Sequence, residues 1–183
     1  MSRSFRAAVF CFAVFVSLCF VASAFAQKGD RVERVPFANP DFPISGAVVV
    51  PPNYDTIYVS GTIPKVANPN APKGSPESLG DTKTQTISVL QQIEATLKAQ
   101  KLSMADVVMM HVYLVGDPAN GGKMDFAGMM EGYKQFFGTA EQPNKPARSA
   151  MQVAGLAVPG ALVEIEVIAV RKRGPRVEPA TVH

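Results

Sequence analysis

Hydrophobic and polar positions follow two periods along this chain, and they divide it into strands and helices. Strands are predicted where β-branched and aromatic residues cluster, and helices where apolar residues recur every three or four positions. The predicted strands cover residues 47–50, 56–60, 107–115, 149–153 and 162–170, and the predicted helices cover residues 81–100 and 125–137. A turn at residues 53–55 joins the first two strands, so we expect them to form an N-terminal hairpin.

The order β-β-α-β-α-β-β is typical of an α+β domain whose two helices cover one face of a mixed sheet. The first helix has a stripe of apolar residues that should be buried. Its members are Ile87, Leu90, Ile93 and Leu97. The second helix offers Met129, Met130, Tyr133, Phe136 and Phe137 for packing. Methionine at helical spacing usually fills a core, and we interpret it so here.

The pattern of the last strand predicts whether the other face of the sheet is exposed to water. Strict alternation places Val163, Ile165, Val167 and Ala169 on one side, and Glu164, Glu166, Ile168 and Val170 on the other. Both sides carry apolar residues, so neither should be fully exposed to water. We therefore expect the sheet to pack against a second subunit.

The chain begins with the pattern of a secretory signal peptide. Arg3 and Arg6 precede an apolar run over residues 7–22, and residues 24–26 fit a small-x-small cleavage site. We expect cleavage after Ala26 and a secreted or periplasmic protein. The alternative is an uncleaved anchor, since residues 7–26 are about long enough to cross a bilayer. The remaining divisions are an extension (27–42), one domain (43–171) and a flexible tail (172–183).

Removal of this leader changes the charge and the available chemistry. It takes two of the 18 Lys and Arg and none of the 15 Asp and Glu, which leaves a net charge of +1. Cys11 and Cys19 also leave with it, so the mature chain has no disulfide, cysteine nucleophile or thiolate metal site. His111 and His183 alone give no metal-ligand spacing. Ser60 and Ser149 have no evident base, and no phosphate-loop or dinucleotide motif is present.

Arg148 is the first candidate for a functional residue. It follows Pro146 and opens a predicted strand, where its guanidinium could hold a carboxylate through two parallel hydrogen bonds. Glu164, sixteen residues later, could assist proton transfer nearby. The alternative interpretation is a structural ion pair, which is the commoner role of a single arginine.

Five segments, in this order and spacing, resemble the Rid (reactive intermediate deaminase) family, also called the YjgF family. They are Ile57-Tyr58-Val59-Ser60-Gly61-Thr62-Ile63-Pro64, Asp106-Val107-Val108 with Val112-Tyr113-Leu114, Tyr133-Lys134-Gln135-Phe136-Phe137, Pro146-Ala147-Arg148-Ser149, and Val163-Glu164-Ile165-Glu166-Val167-Ile168-Ala169. The resemblance covers nearly all of the mature domain.

The resemblance implies a chorismate-mutase-like fold and a homotrimer with ligand sites between subunits. It further implies hydrolysis of enamines and imines such as 2-aminoacrylate, in the manner of a 2-iminobutanoate/2-iminopropanoate deaminase, with no metal or cofactor. By the family pattern, Arg148 grips the substrate carboxylate and Glu164 places or activates water. Ser60 and Gly61 line the same cleft.

Several residues depart from the family pattern. Ile44 stands where the family has a tyrosine, Thr62 where a glutamine is common, Met130 in place of an asparagine, and Ala150 in place of a frequent cysteine. The predicted pocket, which includes Ile44, Thr62 and Ala150, is therefore more apolar than is usual in the family.

Two functions are open at this stage. The first is an exported imine and enamine deaminase, and the second is a trimeric protein that binds small carboxylates or carbonyl compounds without turnover. A ribonuclease would need a basic groove, which the net charge of +1 and the location of the basic run in the tail both disfavour. We expect no nucleic-acid partner, and no stable membrane anchor after leader cleavage.

Overall fold

The computed structural model describes residues 29–174, so the predicted leader and residues 175–183 lie outside it. Its strands are β1 (Glu33–Val35), β2 (Ala47–Val49), β3 (Tyr54–Thr62), β4 (Val107–Val115), β5 (Ala147–Val153) and β6 (Val163–Lys172). Its helices are α1 (Pro76–Leu79), α2 (Thr82–Ala99) and α3 (Phe126–Tyr133). None of these helices is long and apolar enough to cross a membrane.

A four-stranded mixed sheet, in the order β3-β6-β4-β5, forms the centre of the domain. β6 is antiparallel to both of its neighbours, whereas β4 and β5 are parallel and are connected through α3. Helices α2 and α3 pack on one face, which confirms the α+β arrangement expected from the sequence. The second helix ends at Tyr133, four residues before its predicted end at Phe137.

Helix α2 presents a continuous buried face to the sheet. The predicted stripe is right for Leu90, Ile93 and Leu97, which are fully buried. It is wrong for Ile87, which is half-buried, because Val89 takes the buried position on that turn instead. Residues 82, 86, 89, 93 and 97 recur at helical spacing and define the face.

Close packing between the two long helices depends on a glycine. Gly132 of α3 lies against Thr86 of α2, and a Cβ at residue 132 would come within 2.8 Å of the Thr86 Cβ. A side chain there would push the helices apart, so this contact sets how closely α3 can approach α2. α3 is the helix that borders the site described below.

The predicted N-terminal hairpin is wrong. β2 pairs with β1, which the sequence did not predict, while β3 pairs with β6 at the edge of the main sheet. Pro51 and Pro52 separate β2 from β3 and cannot donate ladder hydrogen bonds, which removes a hairpin register close to the turn.

Arg34 of β1 anchors this N-terminal segment to the domain. Its guanidinium donates to the carbonyl oxygens of Lys145 (2.8 Å), Ala105 (2.8 Å) and Val107 (2.9 Å). A pocket of about 230 Å³ lies beside it, lined in part by Phe42, Ile44 and Lys145. The carbonyl contacts give Arg34 a structural role at the start of β4 and β5.

The basic run at the C-terminal end continues the sheet. β6 extends to Lys172, and the backbone N–H of Arg173 donates to the carbonyl of Asn53 at 2.9 Å. Arg171 and Arg173 pair with Asp55, and Lys172 pairs with Asp30.

Loss of the cap of α2 should lower stability. The Asp81 carboxylate accepts a hydrogen bond from the Thr84 N–H (2.7 Å), and interaction with the Thr84 side chain and backbone lowers the Asp81 pKa below 3.8. We expect Asp81→Ala to lower the free energy of unfolding by about 1 kcal/mol at pH 7. Since the folded pKa lies below the unfolded one, this contribution is present above pH 3.8 and is lost as pH falls through the folded pKa.

Urea denaturation of the wild type and the variant across pH measures this difference. Asp41→Ala, which removes an exposed carboxylate that caps no helix, is the matched control. An Asp81→Ala effect no larger than that of the control at pH 7 would contradict the capping role.

Candidate functional site

Arg148 is the second residue of β5, and its side chain projects towards the helices. It lies in register with Met110, which lies in register with Val167, and both of these residues are buried beneath the helices. β5 is an edge strand, so the guanidinium reaches past the sheet to the border of the helical layer. The sequence prediction of an arginine at the start of a strand is thus correct.

The guanidinium rests on α3. Its Cζ lies 4.4 Å from the centre of the Tyr133 ring and 5.8 Å from that of the Phe126 ring, and Nη1 lies 3.1 Å from the sulfur of Met130. A desolvated cation over an aromatic face is stabilised by roughly 2 kcal/mol. These contacts hold the cation in place without neutralising it.

No carboxylate lies within ion-pair distance of Arg148 among residues 29–174. Burial lowers the pKa of Arg148, and burial also raises the pKa of Tyr133 well above its usual range. The arginine nevertheless remains charged and the phenol neutral at physiological pH, and the Tyr133 hydroxyl donates to the carbonyl of Pro43 at 2.9 Å. A half-buried positive charge without an acidic partner is suited to receive an anionic ligand.

Three further predicted residues lie on this side of the sheet. Ala150 follows Arg148 by two positions, so it shares the same face of β5. Ile44 lies between Pro43, which Tyr133 contacts, and Ser45, whose N–H donates to the carbonyl of Pro146 at 2.9 Å. Met130 completes the group through its sulfur contact.

Glu164 lies elsewhere, on the sheet face that turns away from the helices. Its neighbours Val163 and Ile165 are buried in the core, and Glu164 itself is half-buried. A β-bulge in β3 falls between Val59 and Thr62 and brings Gly61 against the Glu164 carboxylate. A Cβ at residue 61 would overlap the carboxylate where it lies, so a larger residue there would displace the Glu164 side chain.

The bulge also arranges the other predicted residues of β3. Ser60 is exposed, and its carbonyl accepts a hydrogen bond from the Thr62 hydroxyl at 3.2 Å. Two residues of β3 at the bulge, Ser60 and Gly61, are left without a strand partner, and Gly61 lies against Glu164.

A second acidic residue on this face is already occupied. Glu166 accepts hydrogen bonds from the Tyr113 hydroxyl (3.0 Å) and pairs with Nδ1 of His111 (2.8 Å). The hydrogen bond to Glu166 raises the pKa of Tyr113. His111 therefore lies on this sheet face, and Glu166 is held within the chain. Glu164 therefore remains the available carboxylate.

The predicted site residues thus form two groups. The arginine group contains Arg148, Ile44, Met130 and Ala150 on the helix face, and the glutamate group contains Glu164 and Gly61 on the opposite face, with Ser60 next to Gly61 in the bulge. Thr62, which is in register with the buried Ile165, belongs to neither group. Arg148 and Val167 both lie in register with Met110, so their side chains share one face of the sheet. Glu164 is three residues from Val167 on β6, and an odd separation along a strand places Glu164 on the opposite face. One chain alone does not bring the two groups together.

Sequence reasoning missed two aromatic contacts of Arg148. Phe126, Met130 and Tyr133 recur at intervals of four and three, which places them on one face of α3. That spacing was the available signal. It does not reveal whether the face meets the core or a charged side chain at the edge of the sheet.

Residues 29–174 contain no group of three or more His, Cys, Asp or Glu side chains that is placed to hold a metal ion.

Comparisons with known proteins match almost the whole described domain. The family model described as Endoribonuclease L-PSP covers residues 44–171. A RutC family protein of Pyrococcus horikoshii is 37% identical over 116 residues, which span 63% of this chain and 79% of the relative. A protein of Escherichia coli named as a reactive intermediate deaminase, TdcF, is 35% identical over 115 residues, which span 63% and 78%.

The fold comparison agrees. The crystal structure of YyfB, a protein of the conserved Rid family from Yersinia pestis, matches with a TM-score of 0.55 and 27% identity, over 76% of this chain and 96% of that one.

Proposed function

The chain belongs to the Endoribonuclease L-PSP (YjgF/Rid) family, and on that premise we propose that it is a deaminase that hydrolyses 2-iminoacids and their enamines. The products are a 2-oxo acid and ammonia. The observation that carries the proposal is the Arg148 guanidinium, half-buried, fixed on Tyr133, and without a carboxylate partner in the described part of the chain.

Arg148 binds the substrate carboxylate and thereby fixes the position of the neighbouring C2 atom. A 2-iminoacid is electrophilic at C2, so the enzyme has only to orient a water molecule and handle protons. Glu164 accepts a proton as the water oxygen bonds to C2. It returns this proton to the nitrogen of the resulting carbinolamine. The C–N bond then breaks as the C2 hydroxyl gives its proton back to Glu164 and becomes the carbonyl of the 2-oxo acid, and ammonia is released.

The separation of the two groups supports an oligomeric active site. Arg148 and Glu164 project from opposite faces of their own sheet, so a common site requires the arginine group of one subunit and the glutamate group of another. The sheet face away from the helices also exposes Tyr58 (77%) and Met151 (42%), which a second subunit would cover. We propose a homotrimer with such sites between its subunits.

The ribonuclease activity in the family description is not part of this proposal. Nucleic-acid binding needs basic residues that are free to contact phosphates. Arg171 and Arg173 are paired with Asp55, and Lys172 with Asp30, so the basic run does not form a free cationic groove.

We also propose that the protein is exported, with cleavage after Ala26. The sequence pattern of residues 1–26 is its support. The imine source would then be an amine-oxidising reaction outside the cytoplasm.

Glu164→Gln should lower the rate of hydrolysis by about a hundredfold, because the amide cannot accept the proton from water. Amino-acid oxidase would generate 2-iminoacids in the assay mixture, and semicarbazide would trap those that escape hydrolysis as semicarbazones. We expect wild type to suppress semicarbazone formation and the variant not to do so. Glu166→Gln, a change on the same strand face, is the matched control and should stay active.

Two results would argue against this mechanism. Equal activity of wild type and Glu164→Gln would exclude the carboxylate as the proton acceptor. Failure of wild type to suppress semicarbazone with any iminoacid tested would favour a protein that binds carboxylates without turnover.

A further inference from the structure

The Arg148 guanidinium has three recorded side-chain contacts, and all three are with aromatic or thioether groups. Tyr133 covers one face of its plane, and Met130 lies at the Nη1 end. Phe126 is the third contact at this border, and Ile44 and Ala150 lie on the same side of the sheet. The one polar group among these side chains is the Tyr133 hydroxyl, which already donates its proton to Pro43 and can offer a ligand only an acceptor.

The same contacts determine from where an anion can approach. Nη1 is occupied by the Met130 sulfur, whereas Nε and Nη2 have no hydrogen-bond acceptor among residues 29–174. A carboxylate that binds in the plane of the guanidinium therefore takes the Nε and Nη2 edge. The substituent on its C2 atom then lies among the apolar side chains of the arginine group and Phe126.

Phe126 is the exposed member of this border. It begins α3, its ring lies 5.8 Å from the Arg148 Cζ, and 43% of the residue remains exposed. An apolar substituent that covers this ring is removed from water together with it, which favours binding. A polar substituent in the same place loses its water and finds no hydrogen-bond partner on the Phe126 ring, which opposes binding.

We propose that the Arg148 site selects 2-iminoacids with large apolar side chains, and that Met130 and Phe126 determine this specificity. The substrate class rests on the proposed deaminase function. The preference itself is a property of the binding site, so it also applies to the 2-oxo acid products, which carry the same carboxylate and side chain.

Calorimetric titration of the full chain with 2-oxo acids tests the preference without any turnover. The probes are 4-methyl-2-oxopentanoate and phenylpyruvate, compared with pyruvate and 2-oxoglutarate. We expect the two large apolar acids to bind at least about tenfold more tightly than pyruvate, from the apolar area that they bury. Tighter or equal binding of pyruvate or 2-oxoglutarate, or no binding of any probe, would overturn the proposal.

Two variants assign the preference to the named residues. Phe126→Ala should reduce the ratio of affinities for phenylpyruvate and pyruvate several-fold, and Met130→Asn should favour 2-oxoglutarate by adding an amide to the border. Phe37→Ala is the matched control, because Phe37 is exposed to a similar degree (42%) and lies in the N-terminal segment. An unchanged ratio in both Phe126→Ala and Met130→Asn would contradict their role.

Hydrolysis assays on the corresponding iminoacids separate this proposal from the proposed function. Selective binding of 2-oxo acids without hydrolysis would reject the deaminase and retain the specificity. Hydrolysis with equal kcat/KM for the imines of alanine and leucine would retain the deaminase and reject the specificity.

Discussion

Alanine in place of Arg148 is expected to reduce imine hydrolysis by at least about a hundredfold, because the substrate carboxylate loses the group that fixes its position. Arg148→Lys keeps the positive charge and loses the planar fork, so we expect an intermediate loss of about tenfold. In both variants the apparent KM should rise, and binding of 2-oxo acids should weaken in parallel.

Folding of these variants should be little affected, because loss of the cation–π contact, worth roughly 2 kcal/mol, is offset by removal of a half-buried charge that has no acidic partner in the described structure. The guanidinium makes no ion pair in the described structure, and Tyr133 keeps its hydrogen bond to Pro43 and its stacking on Phe137, 4.9 Å between ring centres. Thermal denaturation monitors this, and Arg171→Ala, which removes an exposed arginine at the end of β6, is the control for loss of one charge. An Arg148→Ala protein with wild-type kcat/KM would disprove the carboxylate clamp.

Mixing two inactive variants should restore activity. Suppose that Arg148 of one subunit works with Glu164 of a neighbouring subunit. In a mixed trimer, some sites then combine the intact Arg148 of a Glu164→Gln chain with the intact Glu164 of an Arg148→Ala chain. Random assortment in a symmetric trimer makes about one quarter of the sites wild type. We therefore expect about a quarter of wild-type activity, where each variant alone has about a hundredth.

The mixture must be unfolded and refolded together, or co-expressed with two affinity tags, so that subunits exchange. Separately refolded variants mixed afterwards are the control. Activity that stays at the level of the single variants after verified exchange would show that both groups act from the same chain, or that the glutamate group is not part of the site.

The sequence predicted the elements of the main sheet because their patterns are long and bury one face. β4 occupies Val107–Val115 as expected, and the alternation of β6 correctly placed Glu164 and Glu166 on one face. β1 was missed since it has three residues in a proline-rich segment, where its partner β2 is equally short.

The sequence predicted which residues belong to the candidate site but not how they are arranged in space. Arg148 and Glu164 belong to β5 and β6, which are separated in the sheet by β4. Whether they share a face depends on the registers of both pairings, and these are set by the β-bulges and by packing rather than by the spacing between the two residues. The aromatic contacts of Arg148 were missed for a similar reason, because helical spacing alone does not reveal what a helix face meets.

The stacking of Arg148 on Tyr133 has an optical consequence. The chain has no tryptophan and four tyrosines, so four chromophores produce the tyrosine band of its near-ultraviolet circular dichroism. Of these four, Tyr133 is the fully buried one, held rigidly between a cation and the Phe137 ring. An anion that settles on the guanidinium alters the electric field at that ring, which provides an intrinsic spectroscopic reporter of site occupancy without a label.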